Sequence, residues 1–419
     1  MTGRRAATGL LVLSLCLAGF HCDRPPAEVA AAPPLVFEPA PRPPTAAAAR
    51  DPRLVVRASG MIALAQVETE GEFEDDLVIY RSTSGGDSFE DPVRVNRAGS
   101  RVVAHGEGAP AFLQGRGSQF HAVWIDRLPR GQRALVTARS NDFLHSFEPA
   151  RVIATGARGE PAFFDAAVTS EGLVAASWLA RASEGESLPG TSNLVVRVSS
   201  EPGGELHPPV VVARDVCPCC RPALIAGDDG SLHLAWRTTD ENNVRSMLIA
   251  TSRDQGRTWA DPRPLPEIGW KINGCPHSGP ALAFHRGRLH IAWYSEAEGS
   301  PRLYWSRETE TGGFTPAREL SGGVRDANHP FLAVADGRLF AAFQGRGTVE
   351  NGEWPMTSIF VTEIEGDAPQ RPIPVPQGIG TASYPRLSAL GAGRLLVAWT
   401  EHEEGERRVL LARARLDVP

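Results

Sequence analysis

The densest chemistry in this chain lies in "DVCPCCRPALIAG" (215–227), where Cys217, Cys219 and Cys220 fall within four residues. A second, sparser set follows in "GCPH" (274–277), which holds Cys275 and His277. Thiolates and imidazole at close spacing are ligands for a thiophilic metal such as zinc or copper as Cu(I). The same cysteines can pair as disulfides in an oxidising compartment, and Cys219 with Cys220 is a candidate vicinal redox dithiol. Residue types alone leave these three chemistries open; choosing among them requires knowing which elements carry the two sets and whether they meet.

Those elements repeat along the chain. A proline followed two residues later by Leu or Phe occurs at Pro52, Pro110, Pro161, Pro222, Pro280, Pro330 and Pro385, 50 to 61 residues apart. After each comes a second apolar run, such as "FHAVW" (120–124), "LHLAW" (232–236) or "LLVAW" (395–399), and five of the nine tryptophans end these runs. A third run ending in a turn and a fourth short run complete each unit. Short apolar runs broken by Gly, Pro and Asp are strands and turns, so each unit predicts four strands. Repeated four-stranded units predict an all-β protein, a β-propeller of four-stranded antiparallel blades, seven by this count with six as the alternative. The last unit stops after its third run, "RVLLARARL" (408–416), and "PLVFEP" (34–39) is a candidate to supply the missing strand.

Counting back from the repeat prolines places the chemistry. Cys217 and Cys275 each stand five residues before their proline, and Cys219 and His277 each stand three before. The two sets therefore occupy equivalent positions in adjacent units and are predicted to cluster where innermost strands begin, at the mouth of the central channel. His105 and Arg325 share the five-before position in two other units, which predicts a partial ring of polar side chains. Arg237, Arg245 and Arg346 fall in stretches read as loops between second and third strands, and Arg237, Arg245, Arg325 and His329 are candidate ligand-binding residues; exposed arginines on loops are otherwise solvated.

Outside the repeats, Arg4 and Arg5 precede the apolar run "LLVLSLCLAGF" (10–20), the pattern of an export signal over residues 1–22. Cys22 is a candidate for lipidation as a membrane tether, although Gly19-Phe20-His21 departs from the small-residue pattern that precedes lipidated cysteines. Residues 23–51 are Pro/Ala-rich and read as a tether, with the propeller spanning 52–419. The expected location is periplasmic, cell-surface or extracellular. Net charge is −6 with no basic run, which argues against nucleic-acid binding.

The turn "SRDQGRTW" (252–259) resembles the Asp box, Ser-x-Asp-x-Gly-x-Thr-Trp, of sialidases and BNR-repeat proteins, with degenerate copies at Ser82–Phe89, Ser140–Phe147 and Ser199–Gly203. The resemblance covers about residues 52–416 and implies the sialidase-like propeller fold. It also implies a candidate enzyme: sialidases clamp an acidic sugar with three arginines and attack with a tyrosine. "RDPRL" (50–54) places Arg50 at the first arginine and "YPRL" (384–387) places Tyr384 at the nucleophile. The second arginine has no counterpart in "AQVETE" (65–70), and Glu72, Glu74, Asp75 and Asp76 are only rough stand-ins for the acid/base. Three functions follow: a metal or small ligand held at the Cys/His cluster, hydrolysis of an acidic glycan, or a protein-interaction scaffold with structural disulfides.

Overall fold

Alternating and continuous runs of Val, Ile, Leu, Ala and Trp dictate strands whose two faces are both covered, and strands are what these runs form. The computed structural model describes residues 35–416 except 41, 43–47, 72–73, 157–159, 183–184, 186, 267–268, 273, 348–355, 377 and 379. Among the described residues there is no α-helix, only two three-residue 3-10 turns at Gly106–Gly108 and Pro129–Gly131. No helix is long and apolar enough to cross a membrane. The export signal, Cys22 and Glu72 lie outside the described residues.

The strands form successive antiparallel meanders. The first is Ala48–Val56, Ile62–Glu70, Glu74–Ser82 and Val93–Arg94. Meanders of the same order begin at the inner strands Ala111–Gln114, Ala162–Val168, Ala223–Ala226, Ala281–His285, Arg325–Ala335 and Thr381–Ala389. The third and fourth run into one nine-stranded sheet, joined through the pair Val216 and Thr238 just before the cysteines. Each inner strand packs against that of the next meander, and Thr381–Ala389 packs back on Ala48–Val56, so the inner strands close a ring. This is a β-propeller.

Two strands fall within the stretch read from sequence as a tether. Ala48–Val56 starts four residues before its repeat proline, with Ala49 buried. Leu35–Ala40 pairs antiparallel with Glu406–Leu416, from Leu35 opposite Leu416 to Ala40 opposite Leu411, and completes the last meander. An unpaired edge on that final strand is thereby covered. Leu35 makes the attachment apolar: it is buried with Leu416, Ala414 and Ala412 in one core cluster. Between neighbouring meanders the core is filled by the repeat tryptophans, of which Trp124, Trp236, Trp293 and Trp399 are fully buried.

The turn Ser252–Trp259 shows why its residue types recur. The Ser252 hydroxyl accepts the Gly256 N–H at 2.9 Å, Asp254 accepts the Thr258 N–H at 2.9 Å and the Thr258 hydroxyl at 2.6 Å, and Gly256 takes φ +82°. Serine and aspartate satisfy the turn's backbone donors while glycine supplies the left-handed conformation. Ser140, Asp142 and Ser146 repeat the arrangement, with Leu144 at φ +70° in the glycine position. The device positions strands on the face away from the cysteines and carries no chemistry itself.

Candidate metal centre at the channel mouth

The strand Val210–Val216 ends just before the cysteines, and the chain then turns sharply through Cys217–Cys220 before the inner strand Ala223–Ala226 of the same sheet. That turn buries all three thiols, with Cys217 at 0%, Cys219 at 5% and Cys220 at 1% exposure. Cys217 Sγ lies 3.5 Å from Cys219 Sγ and 3.7 Å from Cys220 Sγ. Cys275 and His277, from the loop before the next inner strand, are exposed. The ligand atoms of Cys217, Cys219 and Cys220 lie within 4.8 Å of one another, and so do those of Cys219, Cys275 and His277. The structure thus brings the two sequence sets together through Cys219. The four cysteines are unbridged.

Two arginines back this cluster, and neither is the loop residue that the sequence reading supposed. Arg237 sits in the strand Leu232–Thr239 and Arg245 in Val244–Ser252; both are buried. The reading failed because these strands continue past their apolar runs to the sheet end. Arg245 donates from Nη1 to Cys217 Sγ at 3.3 Å and from Nη2 to the Gly274 carbonyl at 2.9 Å, tying the buried thiols to the loop that carries Cys275. Arg237 donates from Nη2 to the Tyr294 carbonyl at 2.6 Å and lies 5.6 Å from the Trp270 ring centre. Its Nε and Nη1 are buried without a hydrogen-bond partner, as is Nε of Arg245. Buried cationic donors without acceptors are costly, and negative charge on the sulfurs would offset them: Arg245 touches Cys217, and the Arg237 charge acts on Cys220.

The thiols divide accordingly. Hydrogen bonds from Cys219 and Cys220, aided by the Arg245 charge, hold Cys217 far below the usual thiol range. Cys219 is pushed up by its hydrogen bond to Cys217, and Cys220 likewise, burial adding to both. The neighbouring thiols and the Arg245 charge thus favour negative charge on Cys217. His277 has φ +48°, and its Nδ1 lies 2.9 Å from the Cys275 carbonyl. A carbonyl only accepts, so Nδ1 carries the proton and Nε2 is left with the lone pair that a metal requires.

Beside His277 lies a mouth pocket of about 400 Å³, lined by Arg50, Asp51, His105, Glu107, Tyr384 and His402 among others. Arg50 is buried and committed: Nη2 to Asp75 Oδ2 at 2.7 Å, Nη1 to the Thr69 hydroxyl at 2.7 Å. Tyr384 precedes its repeat proline with φ +53°, as Asp51 does at +56° and His329 at +51°. Residues before proline normally stay extended, so three strained positions gather at the mouth. Burial, together with the Glu107 and Asp51 charges, pushes the Tyr384 phenol up to about 12. Arg325 is not in this pocket. It lines a different cavity with Arg302 and Arg346, because its strand begins beyond the mouth.

Glu107 is the mouth residue that sequence reasoning missed. It is buried, accepts from His329 Nδ1 at 2.8 Å and from the Gly279 N–H at 2.9 Å, and faces Arg221 Nε at 3.8 Å. Burial alone would raise its carboxyl; the His329 hydrogen bond, the Arg221 charge and the Gly279 N–H outweigh that and hold it at about 2. Its signal was present, since Glu107 stands three residues before Pro110, the offset shared by Cys219 and His277. His329 rests against Tyr384, ring centres 4.5 Å apart.

No family profile matches the chain, and no curated protein matches it in sequence. Solved structures resemble it in fold. A protein of unknown function from Dyadobacter fermentans superposes with a TM-score of 0.53 at 14% identity, over 76% of this chain and 98% of its own. A polysaccharide lyase, an ulvan lyase solved with a bound sulfated disaccharide unit, gives 0.54 at 12% identity over 75% and 81%. The intramolecular trans-sialidase from Ruminococcus gnavus gives 0.48 at 11% identity over 88% and 96%. At these identities the likeness is one of fold alone.

Proposed function

We propose that this chain is an exported, seven-bladed, sialidase-like propeller that binds a thiophilic metal ion, zinc or Cu(I), through Cys217, Cys219, Cys220, Cys275 and His277. The observation that carries the reading is the meeting of four unbridged thiols and one imidazole, from two repeat units, against buried arginine donors that lack acceptors. A disulfide pair would leave those donors without a charge to face, whereas metal-bound thiolates supply it.

Glycan cleavage of the sialidase type has less support. Arg50 is held by Asp75 rather than turned to a substrate, and a phenol pushed up to about 12 is the opposite of an activated nucleophile. The mouth pocket is nevertheless of small-ligand size and carries the polar groups of Asp51, His105, Glu107 and His402 beside apolar surface, which favours glycan binding without cleavage as a second reading.

The test is metal content with thiol titration on the full chain. Protein produced with zinc or copper should carry about one equivalent of metal, and thiols should become titratable only after chelation. Absence of metal, absence of titratable thiols after denaturation without reductant, and mapped disulfides among these four cysteines would together sink the reading.

A further inference from the structure

We propose that the cluster provides two adjoining positions for a single Cu(I) ion: an exposed capture position at Cys219, Cys275 and His277, and a buried holding position at Cys217, Cys219 and Cys220. The ion passes between them by ligand exchange on the shared Cys219 sulfur. This rests on the metal reading above.

Three observations carry it. First, the ligand atoms form two sets of three with one member in common, and no set of four among the described residues meets the same distance. Structural zinc takes four ligands in a closed tetrahedron, whereas Cu(I) is content with soft thiolates in lower coordination. Second, the sets differ in access: Cys275 and His277 are exposed, while Cys217 and Cys220 are sealed. His277 presents Nε2 for capture because Nδ1 is spent on the Cys275 carbonyl. Third, charge closes at the inner position. Three thiolates and one monovalent ion leave two negative charges, and two buried guanidiniums with unpaired donors can offset them: Arg245 donates to Cys217, and the Arg237 charge acts on Cys220. A divalent ion in the same place would leave a surplus positive charge.

The transfer moves no electrons, and copper stays Cu(I). Bonds from Cys275 Sγ and His277 Nε2 break as bonds to Cys217 Sγ and Cys220 Sγ form. All three inner sulfurs bind as thiolates: Cys217, already held toward the thiolate, keeps its state, and the Cys220 thiol proton passes to the released Cys275. Arg245, bonded both to Cys217 and to the Gly274 carbonyl, holds the two positions at fixed separation.

The experiment loads the reduced full chain, without oxygen, from the coloured Cu(I) complex of bathocuproine disulfonate. It follows the loading rate, the final copper content and the copper X-ray absorption spectrum. The expected endpoint is one copper per chain with an all-sulfur first shell. Cys275→Ser and His277→Ala should reach the same endpoint more slowly than the unmodified protein, because each removes one ligand of the exposed position. Cys217→Ser, or Cys220→Ser should the first variant fail to fold, should leave copper weakly held with nitrogen in its shell. Nitrogen in the unmodified protein's shell, two coppers per chain, wild-type loading rates in the exposed variants, or loss of copper from them equal to that of Cys217→Ser would each overturn the two-position scheme while leaving a metal site standing. Failure of the reduced chain to bind copper or zinc at all would remove the metal reading itself.

Discussion

Replacing Glu107 by Gln tests whether the channel mouth is held by charge or only by shape. The carboxylate accepts from His329 and Gly279 and faces Arg221, and the substitution keeps the volume while removing the charge. A carboxyl lowered from 4.5 to about 2 by folding corresponds to about 3 kcal/mol of stability at neutral pH. The sign follows from the direction: a depressed carboxyl contributes fully above its unfolded value and loses the contribution as pH falls through its folded value. Urea unfolding followed by tryptophan fluorescence at pH 7 should therefore show Glu107→Gln less stable by about 3 kcal/mol, with an unchanged denaturant slope. The gap should shrink below pH 4.5 and be roughly halved by pH 3, because wild type then begins to lose what the variant never had. A gap below about 0.5 kcal/mol at pH 7, the scatter of ordinary surface changes, would show that the pair adds nothing. A gap that persists undiminished at pH 3 would show that the loss is one of packing, and the electrostatic account would be wrong.

Three further outcomes are expected. Leu35→Ala, which empties an apolar position in the strand that completes the last meander, should cost about 2 to 4 kcal/mol in thermal or urea unfolding; an unchanged midpoint would mean that Leu35–Ala40 does not hold the ring. Arg245→Met should weaken metal binding about 10- to 100-fold in chelator competition, since it removes the guanidinium next to Cys217 while keeping most of the side chain's bulk; equal affinity would show that Arg245 serves only the fold. No turnover of a fluorogenic sialoside is expected, because Arg50 is bound to Asp75 and the Tyr384 phenol is raised; cleavage abolished by Tyr384→Phe would restore the hydrolase.

Much of the site was legible in the sequence because the repeat supplies a ruler. An inner strand runs through the last two residues of each Pro-x-Leu or Pro-x-Phe, so residues at one offset from successive prolines tend to land side by side whatever the intervening loops do. That is how Cys219 and His277 could be matched across 58 residues, and the same ruler laid on Pro110 would have found Glu107. The turn at 252–259 was legible for a local reason: serine, aspartate and glycine each satisfy a need of their own backbone. Arg325 shows where the ruler fails. An offset fixes a place along the strand, but the long strand Arg325–Ala335 carries its first residue past the mouth into another cavity.

The sequence by itself determined the strands, their grouping into fours and the equivalence of the two Cys/His sets, because these follow from periodicities of two and of about 55 residues that need no partner to be read. Only the tertiary structure decided which charges are buried. Nothing in "RTTDENNVR" distinguishes Arg237 and Arg245 from solvated loop arginines, and nothing near Arg50 announces Asp75 as its partner. Burial of a charge is a property of two surfaces meeting: an arginine becomes part of a site only when closure of the ring brings thiols from one turn and a loop from the next unit against it, and that meeting is not written at any single position of the chain.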